Sequence, residues 1–109
     1  MRGGAGWLGA LVAALGCAGG EEQGLSEQAL RGRAIYQNVC IACHAADPAQ
    51  DGTLGPAIAG SSRELLEAKV VRGEYPPGHT PRRPTLSMPV FTYLEGDVPA
   101  LAAYLNEAR

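Results

Sequence analysis

The sequence predicts an all-α domain with three main helices and long loops, and three observations support this. Apolar residues recur at helical spacing around Leu66 and again after Asp97. Serines stand where two of the helices would need N-caps. No stretch shows the strict apolar–polar alternation of a half-buried strand, and β-branched runs are few. A chain of 109 residues fits one domain.

The first helix opens at Ser26, whose hydroxyl can accept from an orphan backbone N–H, with Glu27 favourably placed in the first turn. It runs to about Val39. From Ala45 to Gly60 the chain is rich in Gly, Pro, Asp and Ala and reads as a loop. Ser61 and Glu64 form a capping-box pair for a second helix over roughly 62–72, closed by Gly73. Its apolar face is Leu66 with Val70, flanked by Leu65 and Ala68. Between Glu74 and Leu94 lie five of the eight prolines, which exclude regular structure and stiffen the loop. The last helix starts near Glu95–Asp97 and continues to the C-terminus, with Pro99 tolerable only in its first turn. Val98, Leu101, Tyr104, Leu105 and Ala108 give it a packed face.

The first 16 residues read as an export signal rather than as part of the fold. Arg2 precedes a short apolar run, Trp7 to Gly16, that ends in small residues. Ten helical residues span about 15 Å, half of a bilayer core of about 30 Å, which argues against a membrane-spanning anchor. Ala14-Leu15-Gly16-Cys17 resembles a bacterial lipobox, in which the cysteine is lipidated and becomes the first mature residue; such signals usually carry Leu where Ala14 stands. Ordinary cleavage nearby, giving a soluble exported product, is the alternative. Residues 17–25 read as a flexible tether and 26–109 as the domain.

Cys40-Ile41-Ala42-Cys43-His44 carries the chemistry. Two thiols about one helical turn apart can reach both vinyl groups of one porphyrin, and the adjacent histidine then supplies an axial nitrogen to the iron. This is the attachment pattern for a covalently bound c-type haem. Other chemistries use the same residues. A thioredoxin-like thiol pair would need a βαβ context, which is missing here. A zinc site would need Cys40, Cys43, His44 and His79 together, yet neighbouring Cys43 and His44 are badly placed to share one tetrahedral ion. The pentapeptide also turns up by chance in unrelated proteins.

A haem bound through His44 needs a second axial ligand. Met88 is the one methionine besides the initiator and sits on the proline-stiffened loop. Its soft thioether would favour ferrous iron and raise the reduction potential. A lone methionine more often fills a gap in a core, but beside an attachment motif ligation becomes the better reading. His79 is the rival, and a histidine between Gly78 and Thr80 in a polar loop is more often solvated.

The chain carries nine Lys and Arg against eleven Asp and Glu, a net charge of −2, and so has no electrostatic footprint for nucleic acid. Its aromatic content is low, with four Tyr, one Phe and one Trp. A small chain makes a thin core, and a buried porphyrin would supply the missing apolar bulk.

From about Leu25 to Ala108 the sequence resembles a small bacterial monohaem cytochrome c with His/Met haem ligation. Gly32 and Tyr36 stand where that family packs its first helix against its last, and Leu101 and Tyr104 match the partners. Gly55-Pro56 is similar to the family's segment beneath the proximal histidine, where the proline carbonyl accepts a hydrogen bond from the second ring nitrogen. Met88-Pro89-Val90-Phe91 is similar to its Met-Pro-x-Phe. Gly96 and Pro99 depart from the family's helix formers and are expected to shorten the last helix's first turn. The resemblance implies a haem-wrapping all-α fold and a one-electron carrier that is not an enzyme. In that carrier Cys40 and Cys43 anchor the haem, His44 and Met88 bind iron, and Pro56 orients His44. Such a carrier implies transient redox partner proteins and, because transfer needs close approach, a haem edge exposed near the thioethers; the leader and Cys17 add the expectation of a periplasmic site with membrane contact only through a lipid on Cys17. A haem-based gas sensor or peroxidase-like enzyme with a labile sixth ligand, and a haem-free thiol–disulfide oxidoreductase, are the competing functions. Arg72, Arg82 and Arg83 could touch haem propionates or acidic partners, but are expected on the solvated surface.

Overall fold

A computed structural model describes residues 24–84 and 87–108. The expected leader and most of the tether, including Cys17, lie outside the described residues. Among those described, all regular structure is helical: α1 (Glu27–Ile35), α2 (Arg63–Leu66) and α3 (Val98–Glu107).

Ser26 caps α1 as its sequence suggests, accepting from the Ala29 amide at 3.0 Å. The α-helix ends earlier than expected, at Ile35, and the chain continues as a wider π-helical turn over Tyr36–Cys40. Such turns interrupt helices at functional sites, and this one ends on the first cysteine of the motif. A second π-turn, Glu67–Val71, extends α2 in the same way.

The capping-box expectation for α2 was one residue out of register. Ser62, not Ser61, is the N-cap and accepts from the Leu65 amide at 3.0 Å. Ser61 instead donates its hydroxyl to the Ile58 carbonyl, fastening the end of the preceding loop. Gly73 closes the segment with φ +71°, a conformation that costs a glycine nothing. Of the expected apolar face Leu66, Ala68 and Val70 are buried and Leu65 is half-buried, and Val71 joins them.

Among its described residues the proline-rich stretch carries no helix or strand until Thr92–Asp97, a 3₁₀ turn that leads into α3. The α-helix therefore begins at Val98, just after the expected Glu95–Asp97, with Pro99 in its first turn as its missing N–H requires. Val98, Leu101, Tyr104 and Leu105 are buried, whereas Ala108 at the end of the helix is exposed.

The core is the crossing of α1 and α3. Gly32 lies directly against the Ala100 backbone, and the rings of Tyr36 and Tyr104 meet at 5.6 Å and 50°. Tilted packing of this kind adds about 1 kcal/mol beyond area burial. The ends of the two helices are tied as well: the Ser26 amide and hydroxyl both donate to the Glu107 carboxylate, at 2.9 and 3.0 Å. Long loops hang from this frame. Gly60 N–H donates to the Leu105 carbonyl, and the Asn106 amide donates to the Ser61 carbonyl. Both bonds bring the 45–61 loop onto α3.

Candidate functional site

The attachment motif forms as the π-turn ends. The amides of Cys43 and His44 both donate back to the Cys40 carbonyl, at 3.2 and 2.9 Å, so the five residues close into a tight turn. The next loop folds onto it, because the amides of Leu54 and Gly55 both donate to the Cys43 carbonyl. Gly55 therefore lies against the His44 imidazole. A Cβ there would stand 2.8 Å from Nε2 and 2.6 Å from Nδ1, so only glycine lets the backbone come this close.

The next residue fixes the ring. His44 Nδ1 lies 2.8 Å from the Pro56 carbonyl. That carbonyl can only accept, so Nδ1 carries the proton and Nε2 is left with its lone pair free to bind a metal. Tyr36 supports the turn from below, its hydroxyl donating to the Ala45 carbonyl. Burial first, then the nearby Cys40, hold this phenol well above its usual pKa, so it remains a donor.

Cys40, Cys43, His44, Pro56 and Met88 all line one cavity of about 750 Å³. Its walls are largely aliphatic and aromatic, from Val39, Leu65, Leu66, Val70, Phe91 and Leu101. The size is in the range that encloses a cofactor. Met88 is half-buried and packs against the core cluster, while Phe91 N–H donates to the Val70 carbonyl at 2.7 Å and fastens the end of its loop. His79 reaches the same cavity, but it is exposed and its ring stacks on Tyr75 at 5.0 Å and 8°. The donor set fits a haem: paired sulfurs one turn apart, an imidazole with its metal-binding nitrogen free, and an apolar enclosure that also holds a thioether.

The competing site chemistries fit less well. Among the described residues no three of His, Cys, Asp and Glu cluster as a metal ion requires, which removes the basis for zinc. As a free thiol Cys40 is pushed up to about 11, by burial first and then by Cys43. Thiol–disulfide enzymes need the reverse, a thiolate favoured by an electropositive setting.

The arginines correct one expectation. Arg72 is on the surface as expected, 51% exposed and 3.9 Å from Glu74. Arg82 is exposed as expected while also bordering the cavity, whereas Arg83, expected in solvent, is half-buried against it. Arg82 Nη1 donates to the Ala57 carbonyl at 2.7 Å; Arg83 donates to the Thr53 carbonyl at 3.4 Å and lies 4.0 Å from Asp51. Side-chain chemistry could not reveal this, because both hydrogen-bond partners are backbone carbonyls. The signal that was present is an Arg-Arg pair held between Pro81 and Pro84 in a stiffened loop.

The family model described as Cytochrome c matches residues 29–109. Comparisons with curated proteins and with solved structures gave no match. The matched stretch takes in the attachment motif, the proline beside its histidine, the methionine loop and all three helices but for the first residues of α1. The chain therefore belongs to the cytochrome c family, whose members carry electrons on the iron of a covalently bound c-type haem and pass them to redox partner proteins.

Proposed function

We propose that the protein is an exported one-electron carrier with His/Met iron ligation that catalyses no conversion by itself. The observation that carries this reading is the gathering of His44 and Met88, two ligands of complementary chemistry, in the cavity that also holds the paired cysteines. When bound, the haem supplies one-electron chemistry, its iron alternating between Fe(II) and Fe(III). Cys40 and Cys43 anchor it. His44 gives a strong nitrogen donor whose tautomer is fixed by Pro56, and Met88 gives a soft donor that favours the reduced metal. With His44 and Met88 both holding the metal, no coordination position would be left open to oxygen or peroxide.

Ile41 and Leu54, 42% and 55% exposed, place apolar surface beside the attachment motif. They support a small docking face for transient partners where the haem edge would come nearest to solvent. Export and membrane attachment rest on the leader and on Cys17. The mature chain is expected to begin at a diacylated Cys17, held at the periplasmic face of a membrane. Mass spectrometry of the N-terminus checks this, and a free terminus elsewhere refutes the lipid anchor.

The carrier reading is tested by exposing the reduced, haem-loaded protein to carbon monoxide. The visible spectrum is expected to stay unchanged over minutes. Rapid formation of a carbonyl adduct would replace this reading with the gas-sensor or peroxidase-like one.

A further inference from the structure

Among its described residues the loop that bears Met88 has no helix or strand between Gly73 and Phe91, only a turn closed by His79 N–H on the Pro76 carbonyl, so contacts with other segments must hold its shape. Its ends are pinned to the second helical segment, by Glu74 N–H on the Ala68 carbonyl and Phe91 N–H on the Val70 carbonyl. Between these pins, among the described residues, the hydrogen bonds that cross to another segment come from Arg82 and Arg83. Both reach the loop that runs beneath His44. Arg82 takes the Ala57 carbonyl, one residue past Pro56; Ala57 N–H donates to Asp51, and Asp51 faces Arg83. The segment presenting Met88 is thus fastened to the segment that orients the opposite ligand candidate.

We propose that Arg82 is a positioning residue for Met88. Its guanidinium holds the methionine loop against the His44 loop and so keeps the thioether on the iron; this rests on the His/Met reading above. The 2.7 Å bond from Arg82 is charge-assisted and short. The contacts of Arg83 are longer, at 3.4 and 4.0 Å, and its ion pair with exposed Asp51 adds little. Arg82 therefore carries most of the latch.

The test uses the full haem-loaded chain in its ferric form, titrated with imidazole as a competitor for the sixth coordination position. Arg82→Ala is expected to bind imidazole about fivefold more tightly than the wild type, the effect of losing one exposed hydrogen bond. Arg83→Ala is expected to shift by less than twofold. Arg82→Lys should stay nearer the wild type, since a single carbonyl needs a single donor. The denaturation midpoint of the helices, read by circular dichroism, should be nearly unchanged in all three. Wild-type imidazole affinity in Arg82→Ala would overturn the proposal, as would a Lys variant as impaired as the Ala variant. A proportionate loss of helix stability would also overturn it, by making the role merely structural. If the wild type already binds imidazole as readily as Met88→Ala, the His/Met reading itself fails, and the latch with it.

Discussion

Replacing Met88 with alanine is expected to lower the midpoint potential by on the order of 100 mV. Axial ligand identity spans roughly 0.8 V across haem proteins, so one exchanged ligand can supply a shift of this size. For a one-electron couple 59 mV is a tenfold change. The shift thus corresponds to about two decades of lost preference for ferrous over ferric iron, which is the contribution of a soft donor. The same substitution should admit carbon monoxide to the reduced protein, because alanine offers no donor atom. His79 lines the same cavity, stacked on Tyr75, and is the next available nitrogen. Met88→Ala combined with His79→Ala therefore isolates the open site, and the pair should be measured together. Met88 is only half-buried, so the packing loss stays at or below about 2 kcal/mol, the low end for a core methionine truncation. The fold should survive, which keeps the spectroscopic result interpretable. An unaltered spectrum and potential in the double variant would show that position 88 is not on the iron.

What could be read from the sequence, and what could not, follows the range over which each feature is determined. The attachment motif is local: five consecutive residues specify the sulfur spacing and the adjacent imidazole. The Ser26 cap and the face of α3 are nearly as local, since helical periodicity and a single hydroxyl determine them. The one-residue error at Ser61-Ser62 came from a tandem serine that satisfies two registers; the choice was made by the Ile58 carbonyl, which takes the Ser61 hydroxyl. The π-turns at Tyr36–Cys40 and Glu67–Val71 left no trace in a periodicity that suits an α-helix equally well. Least legible was the Arg82 latch. Its acceptor is a backbone carbonyl 25 residues away, and every residue has one. Such a contact exists only once the tertiary fold has brought the two loops together. Met88 lay between these cases, because scarcity marked it out while its approach to His44 depended on a loop without repeating structure.

Gly32→Ala is expected to destabilise the folded protein by about 2–4 kcal/mol, the upper range for overpacking a tight site. An added Cβ would lie 2.5 Å from the Ala100 carbonyl carbon, closer still to its oxygen, and 3.0 Å from the Tyr104 Cβ. Carbon atoms prefer about 3.5–4.0 Å, so α1 and α3 would have to part by about an ångström. The obstacle is backbone on a buried helix, and no side-chain rotation relieves it. Parting the helices also loosens the Tyr36–Tyr104 contact and the packing of Ala29 and Leu101, all buried at the same crossing. A domain of this size has about 5–15 kcal/mol to lose, so the denaturant midpoint should fall clearly in the haem-loaded protein. The damage should reach the site, because α1 runs through Tyr36 to Cys40, and the Tyr36 hydroxyl braces the turn behind His44 at the Ala45 carbonyl. Carbon monoxide access to the reduced variant should therefore rise well before global unfolding, coupling a glycine far from the iron to ligand retention. A variant with the wild-type midpoint would mean that the helices are not in the close contact seen here, and would remove the frame on which both haem-facing loops depend.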